Sequence, residues 1–155
     1  MKGPIAIAML VAALVAGPAS AAELPKGGLT IEEMQTWLRD AGYKADLKTE
    51  DDTSRIASAT EGVNFDVYMY DCAKDKRCAS LQFRAGFDLT EAMAPAKANE
   101  WNTKKRYAKV YLDDESDPYL EYDANLSPGG TYEALKDDFG VWQNMISEFK
   151  DFIDW

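Results

Sequence analysis

Residues 55–87 read RIASAT-EG-VNFDVYMYD-CAKDKR-CASLQFRAGF, and this stretch decides the fold. In its middle, Val63, Phe65, Val67 and Met69 alternate with Asn64, Asp66, Tyr68 and Tyr70. Period-two alternation marks a strand with one face in a core and the other in water. Leu81, Phe83, Ala85 and Phe87 repeat the pattern over 78–87, and 55–60 forms a further strand. Glu61-Gly62 between the first two segments is a two-residue hairpin signal. The expectation is an antiparallel sheet.

Helical signals lie outside this stretch. Thr30-Ile-Glu-Glu33 has the form of a capping box, with Thr30 at the N-cap and Glu33 at N3. Ile31, Met34, Trp37, Leu38 and Ala41 follow at helical spacing, and Gly42 stands where a helix ends. A short strand is expected over 43–48, with an acidic turn over 49–53. Pro95 opens a helix over 95–103, where proline suits a first turn. Alternation over 107–112 and 119–126 predicts two more strands. Leu135, Phe139, Trp142, Ile146, Phe149 and Ile153 form a four-three spaced stripe on a final helix over 131–153. That stripe serves either as a core seam on the protein's own sheet or as the seam of a homodimer. The predicted architecture is α+β, an antiparallel sheet with helices packed on it, in the order α-β-β-β-β-α-β-β-α.

The chain has 155 residues, 27 acidic against 17 basic, and a formal charge of −10. Such a field disfavours nucleic acid and anionic lipid. The sequence holds no histidine, which excludes Ser-His and Cys-His catalysis and imidazole metal sites. Residues 1–22 read as a signal peptide: Lys2, the apolar run Ile5–Val15, then Gly17-Pro18-Ala19-Ser20-Ala21, with cleavage expected after Ala21 or Ala22. The run is too short to span a bilayer, which needs about 18 residues. The expected location is therefore periplasmic or secreted, without stable membrane insertion once the leader is removed. Residues 23–29 read as a linker and 30–155 as the domain.

In such a compartment Cys72 and Cys78, flanking a five-residue loop between two strands, read as a structural disulfide. The alternative is a reactive thiol made acidic by Lys74, Lys76 and Arg77. Asp113, Glu115 and Asp117 imitate the start of a calcium loop, but Pro118 and Ala124 occupy positions that such a loop gives to Gly and Glu. The expectation is a solvated turn, with no metal and no cofactor. Lys97, Lys104, Lys105, Arg106 and Lys109 form a basic island, read as a helix end or as a docking patch for an acidic partner. Strand parity points Tyr68, Tyr70, Tyr107, Tyr111 and Tyr119 away from the core, making them a candidate protein-binding face.

The run Ala96-Lys-Ala-Asn-Glu-Trp-Asn102, the strand after it, and Pro128-Gly-Gly130 before the last helix resemble the YbjN-domain family, over about 29–153. Members are described as bacterial sensory-transduction regulators, with a fold related to type III secretion chaperones. The resemblance implies no catalytic residues. Asn99, Trp101 and Asn102 carry it, and their expected role is structural, with Trp101 plugging its helix onto the sheet and Asn102 capping the helix end. The expected function is an exported, non-enzymatic binding, chaperone-like or regulatory module for a protein or peptide. A small-ligand sensor and a carboxylate-dependent hydrolase are the alternatives.

Overall fold

The computed structural model describes residues 22–155. The expected signal peptide, apart from Ala22, lies outside the described residues. The elements follow the expected order: α1 (Ile31–Asp40), β1 (Asp46–Glu50), β2 (Thr53–Thr60), β3 (Val63–Cys72), β4 (Cys78–Gly86), α2 (Pro95–Lys104), β5 (Lys109–Leu112), β6 (Pro118–Asn125) and α3 (Tyr132–Ile153). The six strands form one antiparallel sheet in the spatial order β1-β2-β3-β4-β6-β5.

Local chemistry sets the boundaries. The Thr30 hydroxyl accepts the Glu33 N–H, and the Glu33 carboxylate accepts the Thr30 N–H, so the capping box starts α1. Glu61 and Gly62 both have positive φ, which matches the twist of β2 and β3 across a two-residue turn. Asp51 and Asp52 do the same between β1 and β2. That tight turn carries β1 to Glu50, beyond the expected end at 48. The start of β1 is delayed to Asp46 because residues 43–45 are tied to α1. The Tyr43 N–H bonds the Leu38 carbonyl, and Gln35 and Arg39 both donate to the Ala45 carbonyl.

All three helices contribute to a core on one face of the sheet. Phe139 and Trp142 of α3 pack against Phe65 and Phe83 with ring centroids 5.5–6.0 Å apart. Trp37 of α1 meets Phe139 edge-on, and Trp101 of α2 meets Phe149 edge-on. Leu135, Phe139, Trp142, Ile146, Phe149 and Ile153 are all buried within the single chain. The four-three stripe is therefore the core seam, and a dimer seam through it has no surface left.

Residues 23–29 are built into the domain, where a linker was expected. Leu24 and Leu29 are buried, and Glu23 and Leu29 form isolated bridges to Thr131 and Cys78. Alternation fails as a signal here because two isolated bridges replace a ladder. Gly28 makes the approach feasible. It has φ +94, and a Cβ added there would lie 1.9 Å from the Cys78 carbonyl oxygen. Gly27 also has positive φ, but its added Cβ meets nothing closer than 3.7 Å.

Gly27→Ala should thus cost about 1 kcal/mol, the strain of a left-handed alanine. Gly28→Ala should cost clearly more, above about 2 kcal/mol, because backbone must move as well. Urea unfolding of the two variants measures this, and equal losses would contradict the packed arm.

Candidate functional site

With the helices on one face, the other face of the sheet is left to water, and parity decides what stands there. Across the strands, Ala57 pairs with Asp66, Asp66 with Arg84, Arg84 with Glu121, and Glu121 with Lys109. From Asp66 to Lys109 this row of charge crosses four strands. Asp66 lies 3.2 Å from the Arg55 Nε, close enough to pair though not aligned for a hydrogen bond. Arg55 also binds Glu50 with two N–H groups. Glu121 is buried and pairs with Lys109 at 3.2 Å, and that hydrogen bond is the main cause that raises the Lys109 pKa.

Tyrosines flank the row. Tyr68 accepts a 2.7 Å hydrogen bond from the Arg84 guanidinium, which lies 4.5 Å from its ring centroid. Tyr119 lies on the other side, with its ring centroid 5.5 Å from the guanidinium carbon. Tyr119 stacks on Tyr111 at 5.3 Å with nearly parallel planes. Burial raises the Tyr68 and Tyr111 pKa values, with Asp66 adding to the first and Glu121 to the second. Tyr70 stands farther along β3 and is 46% exposed. Four of the five expected tyrosines therefore share this face.

Tyr107 does not, which corrects the parity assignment. Ala108 has positive φ and lies outside the strand, so alternation begins only at Lys109. The Tyr107 ring packs edge-on against Tyr122, whose hydroxyl donates to Asp138 of α3 on the helical side. Burial and that carboxylate raise the Tyr122 pKa far above the ordinary phenol value.

Two of the three family-motif residues make contacts that hold the fold, Asn102 differently from expectation. Trp101 is fully buried, donates its indole N–H to the Ala108 carbonyl just before β5, and packs on Phe149 and Phe152 of α3. Asn102 does not cap its helix. Its amide donates to the Val110 carbonyl and accepts the Val110 N–H, so a side chain pairs with the outer edge of β5. Asn99 is exposed, and its backbone carbonyl accepts from Thr103.

The basic island is largely engaged within the chain. Lys104 pairs with Glu100, Lys105 with Glu148 and Lys109 with Glu121, while Lys97 faces the Phe152 ring and Arg106 the Tyr107 ring. In the acidic turn, Asp113 accepts the N–H groups of Glu115 and Asp117, and Asp117 accepts that of Leu89. These carboxylates hold turns. No group of three or more Cys, Asp or Glu side chains placed to hold a metal ion occurs among the described residues. No described helix is long and apolar enough to cross a membrane.

Cys72 and Cys78 form a disulfide between directly paired positions of β3 and β4. The loop it closes is anchored to α1. Arg77 forks onto the Glu33 carboxylate at 2.8 and 2.9 Å and also donates to the Gly28 carbonyl. One glutamate thus caps its own helix and holds the disulfide hairpin against it.

These features define an α+β domain with one helical layer and one open, polar and tyrosine-bearing sheet face. The model of the YbjN family, described as "Putative bacterial sensory transduction regulator", matches residues 30–155. The chain belongs to this family. The description is that of a regulator and not of an enzyme. Among curated proteins and among solved structures no match was found.

Arg77 and the Thr30 N–H hold the Glu33 carboxyl below its usual value of 4.5. A depressed folded-state pKa gives stability that is complete above that value and is lost as pH falls through the folded one. Glu33→Gln should lower the urea midpoint at pH 7, and the gap to the native protein should shrink below about pH 4.5. A gap that stays constant down to pH 2 would contradict the role given to this carboxylate.

Proposed function

We propose that this protein is an exported, non-enzymatic regulatory module that engages a protein or peptide through the open face of its sheet. The observation that carries the reading is the uncovered face itself. Three helices serve the opposite side, while Tyr70 and Tyr111 present rigid, partly apolar area around a charged row. Tyrosine beside arginine is the composition enriched in interface centres. The family's description as a regulator supports the reading, and the chaperone-like comparison rests on the family resemblance alone.

Export is part of the proposal. The Ala22 carbonyl accepts the Tyr132 N–H at the start of α3, so cleavage after Ala21 keeps that bond and cleavage after Ala22 loses it. The hydrolase alternative needs two free carboxylates, and of the four acids lining the groove beside Arg84 all but Asp88 are engaged. Asp66 is paired with Arg55, and Asp113 and Asp117 accept backbone N–H groups.

A photo-crosslinking residue at Tyr70 or Tyr111 should give a discrete adduct in cells, and one at Lys136 on the exposed side of α3 should give none. Adducts from Lys136 alone, or the same ladder from all three positions, would overturn the reading. The intact mass of the protein recovered from those cells should correspond to a chain starting at Ala22.

A further inference from the structure

On the helical side, a groove of about 410 Å³ lies between α1 and the first residue of α3. Its apolar walls are Trp37 and Tyr132, which both pack against the core and both stay partly exposed. Each is held from behind. The Trp37 ring meets Phe139 at 88° between planes, and the Tyr132 N–H bonds the Ala22 carbonyl. Two aromatic rings are thus fixed at the surface with part of each turned to water.

The rim is acidic. Glu32, Thr36 and Asp40 follow at four-residue spacing and share one ridge of α1, beside Glu33 and Trp37. The Arg77 fork neutralises Glu33. Among the described residues Glu32 and Asp40 make no ion pair. No lysine or arginine lines the groove, and Arg39, next to Asp40 in the chain, donates to the Ala45 carbonyl. Asp40 also breaks a local rule. It is the last residue of α1, where the helix dipole presents its negative end and favours a cation. The same dipole accounts for Glu32 and Glu33 in the first turn, but not for Asp40.

Aromatic rings and uncompensated carboxylates are both complementary to a cation, and the rings select one that sheds water readily. A methylated ammonium group does so, whereas a bare ammonium keeps its hydration. The volume is within the range of small-ligand sites, about 300–1,000 Å³. We propose that this groove binds a small ligand through a methylated ammonium head group. The methyl groups lie against Trp37 and Tyr132, and the charge is set against Glu32 and Asp40. The site belongs to the helical side and is independent of the open sheet face.

The test follows the Trp37 indole N–H signal by NMR in the protein recovered from cells. The probes are choline, its neutral isostere 3,3-dimethylbutan-1-ol, ammonium chloride and acetyl-Ala-Lys-Ala-amide. Choline should shift Trp37 and the Tyr132 ring signals saturably, with a Kd at least about tenfold below that of the neutral alcohol or of ammonium. Glu32→Gln combined with Asp40→Asn should weaken choline at least about tenfold and leave the rest of the spectrum in place, since both side chains are exposed. Equal response to choline and the alcohol reduces the groove to an apolar surface and overturns the proposal, as does no response to choline. Equal response to ammonium chloride assigns the acids to a diffuse counter-ion atmosphere and overturns it as well. Saturation by the lysine peptide with none by choline assigns the groove to a protein partner and overturns the small ligand. Unchanged choline affinity in the double variant removes Glu32 and Asp40 from the site and overturns the charge pairing on which the proposal stands.

Discussion

One helix laid on one face of one sheet holds this molecule together. Phe139 and Trp142 of α3 reach Phe65 and Phe83 in the two central strands, and Phe149 reaches Phe87 just beyond β4. Each aromatic pair contributes about 0.5–1.5 kcal/mol beyond the area it buries. The other two helices attach through the same side chains. Trp37 and Tyr43 bring α1 onto Phe139, and Trp101 brings α2 onto Phe149. With every helix committed to one side, the reverse of the sheet must remain soluble by itself. The polar and tyrosine residues there follow from that constraint.

An open sheet must also manage its edges. At one side, α2 lies along β5, and Asn102 takes both the N–H and the carbonyl of Val110. At the other, β1 is five residues long and alternates Asp46, Lys48 and Glu50 with Leu47 and Thr49. Short length and alternating charge oppose pairing with another edge. The face is protected differently, by a row in which Asp66, Arg84, Glu121 and Lys109 alternate in charge. Trp101 and Asn102 of the family motif thus serve the fold.

Local rules made much of this legible in the sequence. The capping box at Thr30, the turn at Glu61-Gly62, the alternation of 63–70 and the stripe of the last helix each depend on neighbours a few residues apart. What failed depended on backbone conformation or on distant pairing. Tyr107 was placed by parity, but positive φ at Ala108 breaks the alternation. Residues 23–29 resemble a linker because their partners, Thr131 and Cys78, are 108 and 49 residues away. The open-face tyrosines were found, but Arg84 between them was not. Its outward direction could be read from Phe83 and Ala85 on either side. The register that sets it between Tyr68 and Tyr119 could not, because β6 joins β4 only after α2 and β5 have intervened.

The central claim is that the open face is free in the isolated protein and covered in the cell. Hydroxyl-radical footprinting of tyrosines, in the purified protein and in living cells, reads this directly. Tyr70, Tyr107 and Tyr111 are all well exposed, and Tyr107 lies off the face. The account predicts strong labelling of all three in the purified protein, and loss of labelling at Tyr70 and Tyr111 but not at Tyr107 in cells. Unchanged labelling at Tyr70 and Tyr111, or equal protection of Tyr107, would contradict it.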